Sequence, residues 1–199
     1  MSSDGVNSTR RKFLTAATSV VGVAGVVGVA VPFVGSWNPS AKAKAAGAPV
    51  KFDFSKLEPG QMSVPEWRGK PVYVVNRTDA QLAALPSLND KLKDPDSENL
   101  DQQPPYITGI DRSLKPNLLV VVGLCTHLGC APKFVPEVGP ASPMGDEWEG
   151  GFFCPCHGSK FDLSGRVYEG VPASANLLVP PYSFEGDNVL VIGVDPEGV

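Results

Sequence analysis

All four cysteines and both histidines of the chain lie in two short segments, CTHLGC (Cys125 to Cys130) and CPCHGS (Cys154 to Ser159). Segments so far apart in the chain can share a metal only if the fold sets their loops side by side, and this limits the architectures available. Each segment follows an apolar run, LVVVGL before the first and GFF before the second. Both can therefore be loops at one end of a sheet. Cys-x-His in one loop and Cys-x-x-His in the other supply two thiolates and two imidazoles. A tetrahedral structural zinc site is one reading of such a set. The further cysteine in each loop, Cys130 and Cys156, has no place in a four-coordinate zinc site.

The N-terminus combines an address with an apolar run. Ser8-Thr9-Arg10-Arg11-Lys12-Phe13-Leu14 resembles the twin-arginine export motif. No charge occurs from Phe13 to Trp37, a stretch long enough to span a bilayer as a helix. Gly22, Gly25 and Gly28 suit a membrane span better than a soluble helix. Arg10, Arg11 and Lys12 favour a cytoplasmic N-terminus. The small-x-small patterns at Ala41-Lys42-Ala43 and Ala43-Lys44-Ala45 admit a cleaved signal peptide. The apolar run, however, exceeds the length of a signal core, which favours a retained anchor. An exported domain meets an oxidising compartment, where the spare cysteines could form a disulfide between the loops.

The expected organisation is a cytoplasmic segment over 1–12, a transmembrane anchor over 13–37, a flexible linker over 38–50 and a β domain over 51–199. The linker NPSAKAKAAGAPV has neither strand alternation nor a core-forming pattern, and Pro49 ends any helix entering it. KPVYVVNRT and NLLVVVGL read as buried strands, and YSFEGDNVLVIGV as a hairpin turning at Gly186-Asp187-Asn188. TDAQLAAL reads as a helix capped by Thr78, with Gln81 completing a capping box and Pro86 stopping it. NDKLKDPDSENLDQQPPY is polar and proline-rich and reads as a surface insertion. The formal net charge is −4. Up to Lys44, five cations face one carboxylate, so that segment carries +4 and the remainder −8. An acidic globular part offers no footprint for nucleic acid.

C-T-H-L-G-C followed by C-P-C-H-G-S resembles the cluster-binding boxes of Rieske iron–sulfur proteins, and more narrowly those of the Rieske subunit of the bacterial cytochrome bc complex. The likeness extends to the twin-arginine anchor, the Ala-rich linker, PEWRGKPVYVVNRT and GVPASANLLVPPYSF. The resemblance implies a mainly β head, a Rieske-type antiparallel sheet domain with a cluster-binding part about 123–175, behind one N-terminal transmembrane helix. It implies one 2Fe-2S cluster, with Cys125 and Cys154 on one iron, His127 and His157 on the other, and Cys130 and Cys156 as a disulfide. Histidine ligation leaves the oxidised cluster formally neutral and raises its potential into the range of roughly −150 to +300 mV.

By the same resemblance the protein acts in quinol:cytochrome c oxidoreduction as a subunit of a translocase. The ring of His157 takes a hydrogen bond and then a proton from quinol as an electron passes to the cluster, and the head swings on its linker to a c-type cytochrome. The implied partners are a cytochrome b subunit and a c-type cytochrome subunit in a dimeric complex. The implied place is the bacterial inner membrane, with the head on the periplasmic side. Ser159 matches the serine that bonds a cluster sulfide, Leu128 the residue that covers the cluster and faces the quinol pocket, and Gly170 to Ser174 the loop that shields its third side. Two positions depart from the pattern: Phe161 stands where many relatives have a tyrosine donating to a ligand sulfur, and Ser174 where a second loop proline is common. Rival readings are a Rieske subunit of another periplasmic oxidoreductase such as arsenite oxidase, a soluble oxygenase-type Rieske ferredoxin, and a non-redox zinc module.

Overall fold

The computed structural model describes residues 7–198, so Met1 to Val6 of the expected cytoplasmic segment lie outside the described residues. The described chain falls into two compact units divided between Ala45 and Ala46.

The first unit is built on helix α1, Ser8–Gly35. Asn7 caps it, its side-chain oxygen accepting from the Arg10 amide at 3.0 Å. The helix therefore begins before the apolar run and carries Arg10, Arg11 and Lys12 in its first turns. Cations there oppose the helix dipole, so their placement reflects orientation across a membrane and not helix stability. At 28 residues the helix measures about 42 Å, enough to cross a hydrocarbon core of about 30 Å. None of its residues is buried. The stretch read as a flexible linker contains a short helix, α2, Ala41–Ala46. Four of its six residues are alanine, the strongest helix former, and Ser40 starts it by accepting from the Ala43 amide.

The second unit consists of three antiparallel sheets. Strands β1 (Val50–Asp53), β9 (Tyr182–Glu185) and β10 (Val189–Ile192) form the first, in the order β1-β10-β9. The expected hairpin is thus present, and β1 pairs with its outer edge from Val50 opposite Ile192 to Asp53 opposite Val189. Strand β4 (Lys70–Asn76) centres the second sheet. It pairs with β5 (Leu118–Val122) along one edge, and with β2 (Met62–Ser63) and β3 (Glu66–Trp67) along the other. All five residues of β5 and four of the seven in β4 are buried, which explains why these strands read as continuous apolar runs without alternation. The third sheet has the order β6-β7-β8, from Lys133–Val138, Glu149–Cys154 and Ser159–Phe161. A register shift between Val135 and Val138 accommodates Pro136, which has no N–H to donate to a ladder.

Helix α3, Asp79–Ala84, has the expected capping box of Thr78 and Gln81. As expected, α3 ends just ahead of Pro86. Pro86 sits in the first turn of a 3-10 segment, Leu85–Lys91, where a missing N–H costs nothing. The polar insertion is less peripheral than its composition suggests. Leu92 and Ser97 are buried, and Leu92 bridges to Tyr168. A polar segment can lie inward here because its side chains and main chain meet partners in the 160–177 region.

Candidate metal centre

The two boxes occupy loops at adjoining strand ends. The first follows β5 and leads to β6; the second is the turn between β7 and β8. Both close in the same way. Gly129 donates to the Cys125 carbonyl at 2.9 Å, and Gly158 to the Cys154 carbonyl at 3.0 Å. Each glycine has positive φ, 79° and 77°, which explains a glycine four residues after each free cysteine. Cys130 and Cys156 form a disulfide between the loops, with Cα atoms 6.7 Å apart. Cys125 and Cys154 remain free thiols, and both are buried.

Tyr73 from β4 forms a floor under both loops. Its ring leaves no room for a Cβ at Gly123, where the first loop begins. Its hydroxyl donates to the Pro132 carbonyl at 2.7 Å, where that loop ends, and its ring stacks on Phe152 of β7 at 5.6 Å. Burial, and then the Cys154 sulfur, push this hydroxyl above its ordinary range. No local motif marked Tyr73 for this role; it read only as a strand residue.

The imidazoles of His127 and His157 lie edge to face, with centroids 4.7 Å apart. His157 is exposed, whereas His127 is half-buried and its Nδ1 is buried with no hydrogen-bond partner. A buried ring nitrogen without a partner is costly unless it has a ligand. Burial pushes the Cys154 thiol up, and the adjoining Cys125 thiol adds to the effect, so a thiolate here needs a cation beside it. The sulfurs of Cys130, Cys154 and Cys156 lie within 4.8 Å of one another, but the disulfide removes two of them from any ligand set. Two thiols and two imidazoles remain, a set of the kind that could hold a 2Fe-2S cluster with mixed ligation.

Around this set, Leu128 is 72% exposed. Ser159 is fully buried, and its Oγ accepts from the Ala173 amide at 3.0 Å. Thr126 donates to the Ala175 carbonyl at 2.6 Å. Phe161 is fully buried in the same core as Cys125 and Cys154. Its carbonyl occupies the space a Cβ on Gly151 would take, so β7 and β8 approach too closely for any other residue there.

Beneath the second box, three fully buried arginines grip the turn 162–166 that follows β8. Arg166 Nε donates to Asp162 Oδ2 at 2.8 Å, and Asp162 Oδ1 accepts from the amides of Ser164 and Arg166. Arg77 donates to the Leu163 carbonyl and to Ser164 Oγ. Arg112 donates to the carbonyls of Ser164 and Leu177. Burial pulls Arg77 and Arg112 down to about 10, so both are charged at neutral pH. Sequence reasoning gave these arginines no role, because their partners are carbonyls brought from other segments.

Comparison with known proteins accounts for this arrangement. Residues 93–183 match the Rieske [2Fe-2S] domain, and residues 1–40 match the TAT signal of the ubiquinol–cytochrome c reductase Fe-S subunit. The ubiquinol–cytochrome c reductase iron–sulfur subunit of Allochromatium vinosum is 55% identical, covering 98% of this chain and 93% of its own. That of Blastochloris viridis is 42% identical, covering 96% and 97%. A solved chain described as hyperthermophilic respiratory Complex III is 23% identical with a TM-score of 0.48, covering 88% and 98%. Through its full-length likeness to the curated subunits, the chain belongs to the family of ubiquinol–cytochrome c reductase iron–sulfur subunits, membrane-anchored proteins with a Rieske 2Fe-2S head.

Proposed function

We propose that Cys125 and Cys154 bind one iron and His127 and His157 the other, and that the head takes an electron from quinol and passes it to a c-type cytochrome subunit. The observation that carries this reading is the unpartnered, buried Nδ1 of His127, set beside the His157 ring on the same two loops that carry the two free buried thiols. A cluster held in this way supplies a one-electron acceptor whose potential is raised by neutral imidazole ligands. The remaining steps belong to side chains. The exposed ring of His157 accepts a hydrogen bond from the quinol hydroxyl and then its proton. Exposed Leu128 offers an apolar surface to the quinol ring. Ser159 Oγ already accepts from Ala173, which leaves its own hydrogen to donate to a sulfide. The Cys130–Cys156 disulfide holds the two ligand loops together.

In this reading the chain works beside a cytochrome b subunit in a dimeric complex of the bacterial inner membrane. Helix α1 crosses the bilayer once from a cytoplasmic N-terminus, residues 38–50 tether the head, and the head over 51–199 lies on the periplasmic side. Export of a folded domain suits its chemistry: cluster assembly needs reduced thiols, whereas the disulfide needs an oxidising space.

Two measurements test the assignment. The dithionite-reduced protein is expected to give a low-temperature Rieske EPR signal; a colourless protein holding zinc and no iron would establish the zinc reading instead. Because electron and proton are taken up together, the midpoint potential is expected to fall as pH rises in the alkaline range, approaching about 59 mV per unit for one proton per electron. A potential flat from neutral to strongly alkaline pH would rule out His157 as the proton acceptor.

Phe161 tunes the same centre. A tyrosine hydroxyl at this position donates to a ligand sulfur and stabilises the more negative reduced state. One such bond is worth about 1 kcal/mol, or roughly 40 mV for one electron. Phe161→Tyr is therefore expected to raise the midpoint potential by that amount in a redox titration. An unchanged potential would mean that the hydroxyl does not reach a sulfur.

A further inference from the structure

Ser174 lacks the ring by which a proline would restrain the loop 170–174, yet this loop is not loose. Lys93, from the polar insertion, donates through Nζ to the Val171 carbonyl at 2.7 Å and to the Ala173 carbonyl at 2.6 Å. Two carbonyl oxygens turned toward one point repel each other unless a cation or donors sit between them. A single ammonium thus bridges the Pro172–Ala173 unit. Ala173 is held on its other side by its amide, which donates to Ser159 Oγ at 3.0 Å. The lysine is itself anchored. Its amide donates to the Val167 carbonyl at 3.0 Å, and the next residue, Asp94, accepts at its carbonyl from Asn176 Nδ2 at 2.9 Å. Buried Asn176 also donates to Ser97 Oγ and accepts from the Val167 amide, so residues 93–97 are laced along the loop.

We propose that Lys93 is a positioning residue for the redox centre: it clamps the Val171 and Ala173 carbonyls, which fixes the Ala173 amide on Ser159 Oγ and commits the Ser159 hydrogen to the cluster. This rests on the ligand assignment proposed above. Lys93 takes over the restraint that a proline at 174 would provide through its ring. Without the clamp, the Ala173 amide leaves Ser159 Oγ, the serine hydroxyl is free to rotate, and its hydrogen bond to sulfide weakens.

The test compares Lys93→Met, Lys93→Gln, Lys93→Arg, Ser159→Ala and the Lys93→Met/Ser159→Ala double variant in the full-length protein. Lys93 is exposed, so Lys93→Met is expected to fold; Lys93→Gln, which keeps a neutral donor, stands in should it not. Amide hydrogen exchange at Ala173 is expected to quicken roughly tenfold in Lys93→Met, the scale of losing a charge-assisted bond. The midpoint potential is expected to fall in both Lys93→Met and Ser159→Ala. It should fall no further in the double variant, because the two residues act through one hydrogen bond. Lys93→Arg, which retains charge and donors, is expected to restore both readouts.

Unchanged exchange at Ala173 would overturn the proposal, as would a full additional shift in the double variant, since that would make Lys93 a remote charge only. The exchange readout does not need the cluster. A wild-type protein without a Rieske signal would therefore defeat the ligand assignment, whereas a normal signal with unchanged exchange in Lys93→Met would defeat only the clamp.

Discussion

Replacing Cys130 and Cys156 together by serine is expected to lower the stability of the head by about 3.5 kcal/mol, the loop-closure entropy of a 26-residue cross-link. Both are changed at once because a single replacement leaves a thiol within 4.8 Å of Cys154, free to pair with it. The disulfide joins the loop after β5 to the turn between β7 and β8. Its loss frees the two ligand loops from one another while the β4–β5 and β9–β10 pairings persist. The loss is therefore expected at the centre before it reaches the sheets: release of iron should begin at lower denaturant than loss of far-ultraviolet circular dichroism. Guanidinium titrations of wild type and variant, followed by visible absorbance and by circular dichroism, measure both. Coincident transitions at the wild-type midpoint would show that the strands hold the loops without the bond.

The second large effect is expected at Asp162. It is the one buried carboxylate among the described residues and pairs with buried Arg166, while buried Arg77 and Arg112 bond to the same turn. Asp162→Asn removes the charge beside Arg166 and turns an amide N–H₂ or a neutral oxygen toward Nε. Breaking one side of a buried ion pair costs about 3–5 kcal/mol, because the remaining charge stays buried. Replacing both partners, as in Asp162→Leu/Arg166→Met, is expected to recover part of that loss, since apolar groups of similar size need no compensation. Denaturant midpoints of the single and double variants check the order. A single variant within about 1 kcal/mol of wild type would mean that the backbone carbonyls around Arg166 are sufficient for it.

The elements that were legible in the sequence are those whose causes lie within a few residues. The apolar run after Arg10-Arg11-Lys12 became α1, although Asn7 placed its start earlier than the apolar boundary suggests. Thr78 and Gln81 formed their capping box. The continuous runs became β4 and β5, and the Gly186 turn joined β9 to β10. Helix α3 stops just ahead of Pro86, and the 3-10 segment that follows uses Pro86 in its first turn, where no donor is needed. One misreading also has a local reason. The insertion was read as peripheral because composition does not reveal whether a polar group has a buried partner.

The same division runs through the centre itself. Spacing alone set apart the two Cys-His boxes as a shared donor set, and the glycines that close them follow from the loop geometry each ligand pair requires. Family resemblance then distinguished a cluster from zinc and implied the disulfide that the structure contains. Tertiary structure alone decided what surrounds the two boxes: Tyr73 beneath the loops, Ala173 on Ser159, Lys93 across the loop 170–174, and three arginines around residues 162–166. Caps, turns and periodicity act over a few residues and leave a mark in the sequence. A bond from Lys93 to a carbonyl at 171 leaves none, because every residue offers that acceptor and only the path of the chain selects which one is used.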